Sequence, residues 1–156
     1  MIVKKMPILQ GFPDFETVKF FTGKHFQKYN FSPVFYDIET TGLSRKSTFL
    51  YLIGAVGIED ETWYFHQWMA ESDREEETIL RIFSQFLQQC DLLISYNGER
   101  FDQPYLEARY EKYGLPSPFD HKMSLDLYLT LKPLKTLLKL PALKQPCLEE
   151  FLGIKD

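Results

Sequence analysis

The sequence has few cysteines and histidines and no long hydrophobic run, and each absence excludes a class of protein. Cys90 and Cys147 stand alone with no Cys-x-x-Cys spacing, and there are only three histidines, so neither a disulfide framework nor a zinc site is indicated. No apolar run reaches the roughly 18 residues that span a membrane. Residues 1–7 lack the apolar region of a signal peptide, so we expect a cytoplasmic protein. Gly54 and Gly57 lack the lysine that a nucleotide-binding loop needs.

The sequence does contain enough apolar material for one domain. Its 156 residues are 44% hydrophobic and 16% aromatic, which suits a single globular domain with a packed core. We assign residues 33–156 to this domain and residues 1–32 to an irregular N-terminal extension. The net charge of −4 argues weakly against tight binding of duplex nucleic acid, because sequence-independent affinity comes from Lys and Arg.

Hydrophobic periodicity predicts an α/β fold built on a mixed sheet. Short links join three predicted strands into an antiparallel meander, at about residues 33–39, 49–58 and 62–69. Further strands are predicted near residues 91–96 and 122–126, and helices near residues 73–89, 102–113 and 127–139. Pro133 is expected to break the last helix.

Three groups of basic residues could line a path for phosphates. They are Lys24, His25 and Lys28; Arg45 and Lys46; and Lys132, Lys135 and Lys139. The last three are spaced three and four residues apart, which would place them on one face of the predicted helix. We favour a solvated surface over a phosphate path for that face, because charge on an exposed helix face is the default.

Two acids at the end of the first meander strand are the most informative feature of the sequence. Asp37 and Glu39 follow an apolar lead-in and lie two residues apart, so both project from one face of a strand, about 6.6 Å apart along the backbone. Such a pair could share a divalent cation. The alternative is that both are solvated strand-end acids beside an ordinary turn at Gly42.

A third acid follows a later strand. Asn97 and Gly98 come directly after the strand near residues 91–96, and Asp102 begins the next helix. Asp102 could serve only as a helix N-cap or first-turn acid. If it instead meets Asp37 and Glu39, the three carboxylates would form an all-oxygen site that suits Mg²⁺ or Mn²⁺.

The two motifs together resemble those of a known enzyme family. Residues 37–43 resemble the first motif of the DEDD (DnaQ-like) 3′–5′ exonucleases, which are ribonuclease-H-like, and Asn97-Gly98 with Phe101-Asp102 resembles the second. The chain is most similar to the YprB-like branch. That likeness rests also on residues 48–54, 107–110, 125–127, 147–149 and 152–154.

The resemblance implies a fold, an activity and a set of site residues. It implies a ribonuclease-H-like mixed sheet and a 3′–5′ exonuclease that hydrolyses phosphodiester bonds at single-stranded DNA or RNA ends with two Mg²⁺ or Mn²⁺ ions. Asp37, Glu39 and Asp102 would be the catalytic residues and metal ligands. The implied substrate-binding residues are Thr40, Thr41, Gly42, Leu43, Asn97 and Phe101, with Leu43 wedging against the terminal base.

One departure from the family pattern leaves alternatives open. The family has a fourth carboxylate in a third motif, a His or Tyr followed closely by Asp on a late helix, and no such motif occurs before Asp156. The chain is therefore a fragment of a longer protein or a naturally short, inactive member, or Asp126 or Asp156 supplies the ligand. The second functional hypothesis is accordingly a non-catalytic domain that binds nucleic acid or another protein.

Overall fold

The computed structural model describes residues 1–8 and 32–154. Six strands occur within these ranges: β1 Ile2–Pro7, β2 Pro33–Thr40, β3 Leu50–Glu59, β4 Thr62–Met69, β5 Leu92–Ser95 and β6 Met123–Asp126. The α-helices of the same ranges are α1 Glu76–Phe86, α2 Asp102–Lys112, α3 Leu127–Leu131 and α4 Gln145–Leu152. Short 3₁₀ turns at Asp73–Glu75, Leu87–Gln89 and Lys132–Leu134 extend α1 at both ends and α3 at its end.

The strands form one mixed sheet in the order β1-β4-β3-β2-β5-β6. Neighbours from β1 to β2 are antiparallel, whereas β2, β5 and β6 run parallel. The predicted antiparallel meander, the two later predicted strands and the mixed sheet are confirmed. Because β2 is the central strand shared by both halves, the acids at its end lie where the antiparallel and parallel parts of the sheet meet.

Residues 2–7, which we placed in an irregular extension, form the edge strand β1. This strand pairs with β4 in the register Ile2↔Met69 to Pro7↔Tyr64. All six of its residues are exposed, so no buried apolar stripe marks it in the sequence. Residues 9–31 of the predicted extension lie outside the described residues, as do Lys24, His25 and Lys28, and the division into extension and domain stays a prediction.

Helices α1 and α2 pack on one face of the sheet. Alternate residues of β2 (Val34, Tyr36 and Ile38) are buried there. The apolar positions of α1 recur at helical spacing in Ile79, Leu80 and Phe83, all fully buried, and α2 contributes Tyr105, Leu106 and Tyr110. The core therefore lies between this helix layer and one sheet face, which leaves the odd-numbered residues of β2 on the other face.

The predicted break at Pro133 in the helix over residues 127–139 is confirmed, but no helix resumes after it in that range. The α-helix ends at Leu131 and continues only as the 3₁₀ turn Lys132–Leu134. Pro133 lacks a backbone N–H and its ring clashes with the carbonyl four residues before it, which ends the α-helical pattern. Lys135 and Lys139 consequently lie beyond the helix and share no helical face with Lys132.

The last described helix ends at a glycine. Gly153 follows α4 with φ +71°, a left-handed conformation that glycine adopts without steric cost. Within residues 1–8 and 32–154, no helix is both long enough and apolar enough to cross a membrane.

Candidate active site

Asp37 and Glu39 lie on the sheet face that the helix layer leaves open. Their neighbours Tyr36 and Ile38 are buried, while both acids are exposed, so the predicted shared face is confirmed. They border a groove of about 350 Å³ on this face. The groove is otherwise lined mainly by apolar side chains of the central strands: Phe35, Leu52, Ala55, Val56, Phe65, Ile94 and Tyr96, with Leu127 and Gln145 at its side.

The loop after β2, residues 41–49, presents Leu43 to solvent. Leu43 is 82% exposed. The hydroxyls of Thr40 and Thr48 both donate to the carbonyl of Gly42, at 2.9 and 3.0 Å. A Cβ at Gly42 would lie 2.9 Å from Thr48 Cγ2, so the close turn under Leu43 requires glycine. We call residues 41–49 the first-motif loop.

The second motif forms a tight turn between β5 and α2. Asn97 has φ +63°, and buried Gly98 packs against the end of β5. A Cβ at Gly98 would lie 2.6 Å from Ser95 Cβ and 3.1 Å from Asp102 Oδ2. The absence of a side chain at position 98 therefore allows Asp102 to sit directly against the turn. Phe101 is partly buried beside Tyr105, with ring centroids 5.7 Å apart, so the structure gives it a packing role.

Asp126 holds this turn in place, a role that the sequence analysis did not foresee. Its Oδ1 accepts hydrogen bonds from the backbone N–H of Asn97, Tyr128 and Leu129, and its Oδ2 accepts one from the N–H of Glu99. One side chain thus caps α3 and fixes the second motif. An acid immediately before a helix is the sequence signal for the cap of α3. Because these bonds occupy both oxygens, Asp126 is a poor candidate for the fourth metal ligand, and Asp156 lies outside the described residues.

Asp102 is buried close to the acids of the first motif. Its side chain is 6% exposed, and burial, followed by the charges of Asp37, Asp126 and Glu39, raises its pKa to about 7. Burial and the charge of Glu39 also raise the pKa of Asp37. The charges of Asp37 and Glu39 therefore act on Asp102. Phe101 is the N-cap residue of α2 and Asp102 lies in its first turn, so the structural alternative that remains for Asp102 is a first-turn acid.

The described residues provide no cation that pairs with these acids. Among residues 1–8 and 32–154, no ion pair involves Asp37, Glu39 or Asp102. Their oxygens are the donor type that Mg²⁺ or Mn²⁺ takes, so the chemistry of the set fits a divalent cation. In the same part of the chain, however, no three His, Cys, Asp or Glu side chains are arranged to hold a metal ion. The metal site stays a prediction.

The histidines of the described residues do not add to this site. His66 lies on β4 with its Nε2 2.7 Å from Glu59 Oε1 and its ring stacked on Trp68, and burial lowers its pKa. His121 is exposed in a turn between α2 and β6. Neither residue lines the groove beside Asp37.

The sequence of this domain matches a known superfamily over most of its length. The model of the RNase H superfamily matches residues 34–156. The chain belongs to the RNase H superfamily. No curated protein sequence matches it significantly. The predicted ribonuclease-H-like fold is thereby confirmed, while the assignment to the DEDD exonucleases and their YprB-like branch stays a prediction.

Solved structures similar to this RNase H superfamily chain include nucleic-acid enzymes. It is 18% identical to the family B DNA polymerase of the archaeon Pyrobaculum calidifontis, with a TM-score of 0.64, covering 82% of this chain and 19% of that one. It is 13% identical to E. coli exonuclease I in complex with a dT13 oligonucleotide, with a TM-score of 0.66, covering 81% of this chain and 36% of that one. At these identities the likeness shows the fold, and the chain spans about a third or less of either protein.

A further solved structure of the same exonuclease carries a metal. It is the zinc-bound form of the E. coli enzyme in complex with single-stranded DNA, 16% identical with a TM-score of 0.63, covering 81% of this chain and 36% of that one. This structure shows that the fold of the RNase H superfamily chain occurs in a protein that holds a metal ion and a DNA strand together.

Proposed function

We propose that this chain is a metal-dependent 3′–5′ exonuclease domain that hydrolyses phosphodiester bonds at single-stranded nucleic-acid ends. The observation that supports the proposal is that Asp37 and Glu39 border an open groove while the charges of both help to raise the pKa of buried Asp102, with no ion pair to any of the three among the described residues. The similar fold of E. coli exonuclease I, solved with a dT13 oligonucleotide, supports the same substrate class.

Each part of the site has a proposed task. Asp37, Glu39 and Asp102 would hold divalent cations, which supply Lewis-acid stabilisation of the phosphate and of the leaving 3′ oxygen when bound. Leu43 would pack against the terminal base, because it is exposed on the first-motif loop that follows Asp37 and Glu39 in the chain. The backbone at Thr40 and Thr41 and the turn at Asn97 would then set where the strand end stops.

Substitution of the acids tests the catalytic assignment. We expect Asp37→Ala and Asp102→Ala each to reduce Mg²⁺-dependent release of mononucleotides from an end-labelled single strand by at least about 10³-fold, as for loss of a group that stabilises charge in the transition state. Asp120→Ala is the matched control, because Asp120 is an exposed acid away from the groove. Mononucleotide release that survives both substitutions would refute the proposal.

Two further measurements test metal binding and the need for a strand end. Calorimetric titration with Mn²⁺ should show binding to the unaltered chain and weaker binding to Asp102→Ala. A circular single strand should resist degradation, because it has no end for Leu43 to meet; cleavage of the circle would indicate an endonuclease.

The second candidate function is a domain that binds nucleic acid without cutting it. The observation that favours it is the lack, among the described residues, of three side chains arranged around one ion. Binding of a labelled single strand by the unaltered chain, with no product in Mg²⁺ or in Mn²⁺, would identify this function.

A further inference from the structure

A salt bridge between Glu76 and Arg109 lies inside the helix layer. The side chains are 0% and 1% exposed, so both charges are fully removed from water. Arg109 Nε donates to Glu76 Oε1 at 2.7 Å and Arg109 Nη2 donates to Glu76 Oε2 at 2.5 Å. The pair joins α1, which carries Glu76, to α2, which carries Arg109 and begins at Asp102.

The same pair holds the first-motif loop at two points. Arg109 Nη1 donates to the carbonyl of Arg45 at 2.8 Å, in the middle of the loop. Glu76 Oε1 accepts from the N–H of Leu50 at 2.8 Å, where the loop returns to β3. Tyr105, also on α2, adds a third attachment through the 2.8 Å contact of its hydroxyl with Thr48 Oγ1.

Stability alone is a weak reason for a fully buried ion pair. Desolvation of two charges offsets much of their attraction, and replacing both partners by uncharged groups of similar volume often leaves stability unchanged or improved. What an uncharged pair cannot provide here is the third donor of the guanidinium, which reaches the Arg45 carbonyl. The contact pattern therefore points to placement of the loop.

We propose that Arg109, oriented by Glu76, is a positioning residue that holds the first-motif loop so that Leu43 can meet the end of a single strand. This inference rests on the proposed function of the loop in substrate binding. Arg109 would act through the Arg45 carbonyl, in the same loop as Leu43. It also couples the two motifs mechanically, because α2 begins at Asp102.

The double variant Glu76→Gln/Arg109→Met isolates the contact with Arg45. The glutamine keeps an acceptor for the Leu50 N–H and a polar partner for Tyr113, whose hydroxyl donates to Glu76 in the unaltered chain at 2.8 Å. Both charges leave together, so no unpaired charge remains buried. The control is Glu77→Gln/Arg81→Met, which removes the exposed pair of the same helix without touching the loop.

Tryptic cleavage and oligonucleotide binding provide readouts that need no turnover. Cleavage after Arg45 or Lys46, both exposed in the loop, should become at least about fivefold faster in the Glu76/Arg109 variant as the loop opens locally. The Kd for a labelled single-stranded DNA oligonucleotide should rise about tenfold. Where product forms, the KM of the Glu76/Arg109 variant should rise. Its kcat should stay within about threefold of that of the unaltered chain, because the three acids are unchanged. Tyr105→Phe, which removes one hydroxyl and no charge, should shift the same quantities in the same direction.

Each result is decisive for the proposal. Faster loop cleavage with weaker binding, and neither change in the control, supports it. The proposal is overturned if either the cleavage rate or the Kd is unchanged in both the double variant and Tyr105→Phe. It is also overturned if the unaltered chain fails to bind the oligonucleotide. Binding without any release of mononucleotides by the unaltered chain counts against the exonuclease activity, while the effect of Arg109 on Kd still decides the positioning role.

Discussion

Replacement of Gly98 by alanine should damage the site more than the fold. The added Cβ would lie 2.5 Å from Ser95 Oγ, 2.6 Å from Ser95 Cβ and 3.1 Å from Asp102 Oδ2. The first two distances are too short for any side chain to tolerate, and Ser95 is fixed in β5, so the turn must move and Asp102 with it. Overpacking of this kind costs about 1–3 kcal/mol of unfolding free energy. A shift of about 1 Å at a catalytic group costs about 10²-fold in rate.

Gly114→Ala is a matched control for this substitution. Gly114 has φ +63° and nothing within 4 Å of its Cβ position, so alanine there is penalised only by the backbone conformation, by about 1–2 kcal/mol. The two variants should therefore lose comparable stability in urea unfolding. Of the two variants, only Gly98→Ala should lose mononucleotide release and Mn²⁺ binding, because position 98 adjoins Asp102 and position 114 does not.

A second substitution identifies the clash as the cause. Ser95→Gly deletes both atoms that the new methyl group meets, so Gly98→Ala/Ser95→Gly should recover much of the activity that Gly98→Ala loses, when each is compared with Ser95→Gly alone. The reasoning is refuted if Gly98→Ala matches the unaltered chain in stability and rate, or if Gly114→Ala loses activity to the same degree.

Two other predictions concern buried acids. Asp126→Asn keeps an oxygen for the N–H groups of Asn97 and α3 but turns an amide donor toward the N–H of Glu99, and urea unfolding should show a loss of about 1–3 kcal/mol. The pKa of Asp102 is 3.8 in the unfolded chain and about 7 in the folded chain. Between these pH values the folded state binds more protons than the unfolded state. The free energy of unfolding should therefore fall as the pH rises from about 4 to 7. Asp102→Asn should lack this fall and, in EDTA at pH 8, exceed the unaltered chain by on the order of 3 kcal/mol. A parallel pH dependence in the two proteins would contradict the pKa shift.

The parts of the fold that were predictable are those with a buried face. Apolar and aromatic runs separated by short links located β2, β3 and β4 within two residues at each end. The two-residue repeat of a strand placed Asp37 and Glu39 on a shared face. Strand β1 could not be predicted in this way, because all six of its residues are exposed. Its place in the sheet depends on backbone hydrogen bonds to β4, and backbone pairing leaves no periodic pattern in the sequence.

The support of the site could not be inferred from local sequence. Arg109 and Glu76 are 33 residues apart, and Asp126 is 29 residues from Asn97. Isolated charged residues in helices predict exposed surface by default, so a buried pair is visible only once the helices are packed. The Arg45 carbonyl, which gives Arg109 its contact with the loop, is a backbone group that any residue would provide.

The buried carboxylates among the described residues show why Asp102 differs from a structural acid. Glu76 meets a guanidinium, a tyrosine hydroxyl and a backbone N–H, and Asp126 meets four backbone N–H groups. Asp102 has neither a cation nor a hydrogen-bond donor from the same part of the chain, and its only strong neighbours are further acids. A fold that satisfies two buried acids so fully would gain stability by satisfying or replacing the third. A divalent cation, as proposed above, would supply the positive charge that the described residues do not place beside Asp102.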